Sequence, residues 1–130
     1  MISADMEVMM VEDDEFTRQT IKQALLAQSV NVVFDTSNVK DALDWAKSNH
    51  PDIAVLDYNL GVGPNGIDLA NALRKFLPEI GIVLLTAFLD PVHLREKMSM
   101  LPQGSRYLIK HDVTRIEVLI EEIERSKIAK

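Results

Sequence analysis

The chain has 130 residues, 47% of them hydrophobic and 26% charged, which is the balance of one folded domain with its own core rather than of a disordered segment. It contains no cysteine, so disulfides, thiolate catalysis and cysteine zinc sites are excluded. A net charge of −6 makes the whole a poor nucleic-acid binder, no apolar stretch is long enough to span a bilayer, and the opening MISADMEV lacks the basic-then-apolar layout of a signal peptide. The expectation is a cytoplasmic protein with no direct nucleic-acid partner and no membrane.

The chain alternates between unbroken apolar runs and segments of helical spacing. The run Val8-Met9-Met10-Val11 predicts a first strand, followed by the acids Glu12, Asp13, Asp14 and Glu15 and by a helix marked by Ile21, Ala24 and Leu25. Val32-Val33-Phe34 predicts the second strand, and Val39, Ala42, Leu43 and Ala46 the helix after it. Ile53-Ala54-Val55-Leu56 runs straight into Asp57. A loop of three glycines and a proline follows, suggesting positive φ values and a tight turn. Then comes a helix marked by Ala70, Leu73 and Leu77 and stopped by Pro78. Ile82-Val83-Leu84-Leu85 ends at Thr86. A weaker helix spans Pro91 to Met100, with Pro91 in its first turn and Pro102 just past its end. Tyr107-Leu108-Ile109 ends at Lys110. The last helix carries Ile116, Leu119, Ile120 and Ile123, with Glu117, Glu121, Glu122 and Glu124 on the wet side. Residues from about 126 to 130 read as a fraying helix end or the start of a linker.

Continuous apolar runs indicate strands covered on both faces, as in a parallel sheet. The order is therefore α/β, (βα) five times, with right-handed crossovers and a single domain over 1–130. Ligands of such sheets bind beyond the carboxyl ends of the strands. With strand order 2-1-3-4-5, those ends bring together Asp13 and Asp14, Asp57, Thr86 and Lys110. Crowded carboxylates repel one another unless a cation intervenes, and a hard divalent ion with oxygen ligands meets that need. A cation and a lysine around an aspartate form a clamp for a phosphoryl group, with Asp57 as the carboxylate nucleophile.

The pieces MMVEDDE, AVLDYNLG, IVLLTA and YLIK, in this order at the ends of four predicted strands, resemble the receiver domain of bacterial response regulators, from about Glu7 to about Ser126. The resemblance implies a flavodoxin-like doubly wound sheet and phosphoryl transfer from a sensor histidine kinase or phosphotransfer protein to Asp57, dependent on Mg²⁺ (or Mn²⁺). It implies Asp14 as the main acidic metal ligand and Asp13 as its partner. Asn59 would add its backbone carbonyl, and Asp57 itself completes the set. Lys110 would pair first with the acceptor and then with the phosphoryl oxygens, which the backbone N–H groups of Tyr58 and Ala87 would help to hold. Thr86 and Tyr107 would be the switch residues, acting on a face built from the fourth helix, the fifth strand and the fifth helix. That face would serve a partner, a self-dimer or an output domain outside this chain. Such a domain is a phosphoacceptor rather than an enzyme, catalysing only its own phosphorylation and slow dephosphorylation.

Two departures stand out. The family usually has proline after the lysine, with a cis bond, whereas here His111 follows Lys110; either a trans bond with an adjusted loop or a cis bond held by its surroundings is expected. The loop after Asp57 is about one residue longer than the common form. Blander readings exist for each residue: a capping aspartate at 57, acids that open the first helix at 13 and 14, a solvated lysine at 110, core packing at Tyr107. Rival functions are a phosphorylation-independent binding module of the same fold, an aspartate-nucleophile phosphatase, disfavoured because Asp57-Tyr58-Asn59 lacks its second aspartate, and a flavin binder, disfavoured by the acids.

Overall fold

The computed structural model describes residues 5–87, 90–110 and 115–128. Within them the chain forms β1 (Glu7–Val11), α1 (Glu15–Ala27), β2 (Asn31–Thr36), α2 (Val39–Asn49), β3 (Ile53–Asp57), α3 (Gly66–Phe76), β4 (Gly81–Thr86), α4 (Pro91–Met98), β5 (Arg106–Ile109) and α5 (Ile116–Ile128). The strands make one parallel sheet in the order β2-β1-β3-β4-β5, as the alternation of runs and helices predicts.

Side chains alternate across a strand, so each apolar run feeds two cores. Met9, Val11, Ala54, Leu56, Ile82 and Leu84 meet Ala42 and Ala46 of α2 and Ile67, Ala70 and Leu73 of α3. Val8, Met10, Ile53, Val55, Val83, Leu85 and Leu108 meet Ile21 and Leu25 of α1 and Leu119 and Ile123 of α5. The expectation that every strand is covered on both faces holds for the central ones. At the edges it does not: all of β2 is half-buried, and Tyr107 of β5 is 44% exposed, because an edge strand lacks a neighbour on one side. On the outer side of β2, Phe34 stacks on Trp45 of α2 at 4.5 Å.

One expectation about α5 needs correction. Glu122 is not on the wet side; it is 9% exposed and paired with Arg106 of β5 at 2.7 Å and Arg125 at 3.2 Å, so a carboxylate is carried into the sheet–helix contact by two guanidinium partners. The helix runs through Ile128, and Ser126 is fully buried with its Oγ donating to the Ile123 carbonyl, so of the two readings for this segment residues 126–128 are a helix end. Residues 129 and 130 lie outside the described residues.

The loop after Asp57 turns at Gly61 (φ +88°) and Gly63 (φ +103°), a backbone region that glycine enters without steric cost. Asn65 then caps α3 reciprocally with Asp68. Gly66, the first residue of α3, donates to the Tyr58 carbonyl at 2.7 Å and lies so close to β3 that a Cβ there would collide with the Asp57 carbonyl oxygen and reach 2.8 Å from Leu84 Cδ1. Gly66→Ala is therefore expected to destabilise the fold by about 1–3 kcal/mol through overpacking. Urea unfolding would measure this, and an unchanged midpoint would refute the close approach.

Candidate functional site

Four strand ends build one open cavity of about 390 Å³, lined by Glu12, Asp13, Asp14, Asp57, Tyr58, Asn59, Thr86, Ala87 and Lys110. The residues expected from sequence thus converge, although they come from segments as far apart as 12 and 110. Alternation along the strands explains how. Val8 and Met10, Ile53 and Val55, and Leu108 all face the α1/α5 core. Counting by two, Glu12, Asp57 and Lys110 are the next residues in those columns, at the mouth of the same face. Thr86 belongs to the opposite column: its strand mates Ile82 and Leu84 face the α2/α3 core, and Tyr107, which pairs with Leu84, shares that face.

Asp57 is 3% exposed. Its Oδ1 lies 3.0 Å from Lys110 Nζ and accepts from the Asn59 N–H at 3.3 Å. Lys110 Nζ also stands 3.3 Å from Glu12 Oε1. Burial acts to lower the Lys110 pKa, but the hydrogen bond and charge of Asp57, with those of Glu12, outweigh it and hold the ammonium above its usual range. The lysine is therefore a permanent cation at neutral pH.

Glu12 is 1% exposed. Burial pushes its carboxyl up to about 7, against the lowering effect of the Asp14 N–H that donates to Oε2 at 3.1 Å; the neighbouring Asp57 carboxylate adds to the rise. Its buried Oε1 accepts no well-aligned hydrogen bond and has the Lys110 ammonium at 3.3 Å as its ionic partner. Asp13 is exposed, and its Oδ1 sits beside Gly61, where even a Cβ would come only to 3.9 Å. Among the described residues no three carboxylates or imidazoles form a ready-made cage. The oxygens that are present (those of Asp13, Asp57 and the buried Glu12 carboxyl) suit a hard cation that keeps water and ligand oxygens in its shell.

A family model for the response regulator receiver domain matches residues 8–121. The chain belongs to the response-regulator receiver family. Receivers are signalling domains of two-component systems rather than enzymes of the ordinary kind. This receiver is 29% identical over 121 residues to the transcriptional regulatory protein NarL of Mycobacterium tuberculosis, an alignment covering 92% of the chain and 54% of the relative. It is 26% identical over 105 residues to the transcriptional regulatory protein LnrK of Bacillus subtilis, covering 80% and 46%. The receiver spans about half the length of these curated relatives. Among solved structures, the signal receiver domain of M. tuberculosis NarL superposes with a TM-score of 0.77 at 28% identity, over 94% of this chain and 96% of that one. The Vibrio cholerae chemotaxis protein CheY4 shares the fold at 22% identity, with a TM-score of 0.76 over 93% and 98%.

Within the receiver, two sequence-based roles are revised by the hydrogen bonds. The Tyr58 N–H does not point into the cavity: it donates to the Leu85 carbonyl at 2.8 Å, extending the β3–β4 ladder. The Asn59 N–H, aimed at the Asp57 carboxylate, is the donor on that side. Asp14 lines the cavity but serves as the N-cap of α1, with Oδ2 accepting from Thr17 N at 2.8 Å and Thr17 Oγ1 at 2.6 Å. These bonds, that of the hydroxyl first, hold the Asp14 carboxyl below its ordinary range. An oxygen so engaged is a poorer metal ligand than the exposed Asp13, so Asp13 replaces Asp14 as the leading candidate. Sequence reading assigned no role to Glu12; the two-residue alternation from Val8 and Met10 was the available signal. The geometry of the Lys110–His111 bond lies outside the described residues.

Proposed function

We propose that this receiver works in the cytoplasm and accepts a phosphoryl group on Asp57 from the phosphohistidine of a sensor histidine kinase or phosphotransfer protein, in a step that depends on a divalent cation. The observation that carries the reading is the Asp57 carboxylate, buried at the base of an acidic cavity with the Lys110 ammonium 3.0 Å away. A carboxylate oxygen of Asp57 attacks phosphorus in line. The P–N bond to the donor imidazole breaks, its electron pair returns to the ring nitrogen, and an acyl phosphate forms. Lys110 balances the charge on the phosphoryl oxygens, and the Asn59 and Ala87 backbone N–H groups orient them. Mg²⁺, or Mn²⁺ in its place, held by Asp13 and Asp57 with the Asn59 carbonyl, would offset the crowded acids and withdraw charge from the phosphoryl group.

The signal leaves through the opposite column. Thr86, drawn toward the phosphoryl oxygens, vacates space on the face it shares with Tyr107, and the exposed Tyr107 ring packs inward. Helix α4 has no buried residue of its own, so it can shift with the strand-four loop. The phosphoryl group must favour one arrangement differentially for the population to move. The α4–β5–α5 face then meets a partner, a second copy or an output domain; relatives named as transcriptional regulators support an output that acts on DNA.

The test is incubation with acetyl phosphate and MgCl2. One phosphoryl group per chain, mapped to the Asp57 peptide and prevented by chelating the metal beforehand, is expected. Continuous hydrolysis of small phosphate esters would favour the phosphatase reading instead, and no modification at all would favour a binding module.

A further inference from the structure

One partly buried cation of the α1–β2 side stands outside the cavity yet reaches the acidic loop. Arg18, whose side chain is 12% exposed, extends back along α1. Its Nε contacts Asp35 Oδ2 of β2 at 3.2 Å, and its Nη1 donates to the Glu12 backbone carbonyl at 3.0 Å. Asp35 is anchored a second time by Lys22 Nζ at 2.8 Å.

The Glu12 carbonyl belongs to the same peptide plane as the Asp13 N–H. Strand pairing ends just before it: the Glu12 N–H is bound by the Thr36 carbonyl at 3.0 Å, and beyond that point β1 has no partner in the β2 ladder. The Arg18 guanidinium takes over there. Its planar fork satisfies two acceptors at a fixed angle, which a lysine cannot do. Rotation of the Glu12–Asp13 peptide would swing the Asp13 carboxylate away from Asp57 and Asn59. We infer that Arg18 is a positioning residue: by tying the Glu12 carbonyl to Asp35 it orients the Asp13 carboxylate toward the cavity and so sets the affinity of the site for a divalent cation. The inference rests on the phosphoacceptor reading above and concerns the orientation of Asp13, which Arg18 does not touch.

The experiment titrates MgCl2 alone into wild type, Arg18→Met, Arg18→Lys and Lys22→Met by calorimetry. It also records the Asp13 amide resonance and its hydrogen exchange in the metal-free proteins. Arg18→Met is expected to bind Mg²⁺ about tenfold more weakly, the usual scale for a group that orients a ligand from behind, and to shift the Asp13 amide without any metal present. Arg18→Lys, reaching one acceptor at a time, should fall in between. Lys22→Met loses a bond to the same Asp35 but none to Glu12, so its Mg²⁺ affinity should match wild type. Equal affinities for wild type and Arg18→Met would overturn the role of Arg18 alone, as would an equal loss in Lys22→Met, which would mean general loosening of the α1–β2 contact. If Arg18→Met does not fold, Asp35→Asn carries the same comparison with Lys22→Met. Failure of wild type itself to bind Mg²⁺ would instead overturn the phosphoacceptor reading, and the inference with it.

Discussion

Asp57→Asn is expected to abolish phosphorylation by acetyl phosphate completely while leaving the fold intact. An amide of the same size fills the same buried space at the end of β3, but its oxygen cannot form an acyl phosphate. The change also relieves the site of one carboxylate. Asp57 contributes to the raised pKa of Glu12, so the Glu12 carboxyl should fall back toward its ordinary range in the variant. Intact mass with and without Mg²⁺ and peptide mapping would follow the first consequence, and thermal midpoints taken across a pH series the other two. A mass gain persisting in Asp57→Asn would sink the assignment, since the modified residue would then lie elsewhere.

The second large effect is on stability and concerns Glu12, in the metal-free protein. Its folded pKa, about 7, lies above the unfolded value of 4.5. The folded state therefore binds the proton more tightly, and stability falls as pH rises between those values. The contribution is fully present below about 4.5 and lost above about 7. At about 1.4 kcal/mol per unit of pKa, the loss amounts to roughly 3 kcal/mol. Glu12→Gln cannot ionise, so it should be more stable than wild type by roughly 3 kcal/mol at pH 8 and nearly equal to it at pH 4.5. Because Asp14 has a depressed pKa that acts in the opposite sense, the difference between the two proteins is the quantity to measure, by denaturant unfolding across that range. Parallel stability curves would show that Glu12 does not titrate in this window.

The two effects share one cause. The cavity concentrates acids around a single lysine, so the free receiver pays in stability for a site built to receive a cation and a phosphoryl group. Glu122, by contrast, is a buried acid provided with two arginines, Arg106 and Arg125, and it ties α5 to β5. The contrast separates an acid that serves the architecture from acids kept available for a ligand.

Much of this receiver was determined by sequence alone. Unbroken apolar runs fixed five parallel strands, helical spacing fixed the helices between them, and acids, threonine and lysine at the strand ends marked the cavity, because burial imposes periods that can be counted along the chain. What only tertiary structure decided is how each polar group spends its hydrogen bonds. Asp14 is drawn to Thr17 as a helix cap, the Tyr58 N–H is taken by Leu85 across the sheet, Glu12 is buried beside Lys110, and Glu122 is turned inward to Arg106. Apolar burial is an average property of a segment and survives in the sequence as a pattern. A hydrogen bond depends on the angle and distance between two particular atoms, and for Glu12 and Lys110 those atoms come from opposite ends of the chain, so it exists only once the sheet has closed.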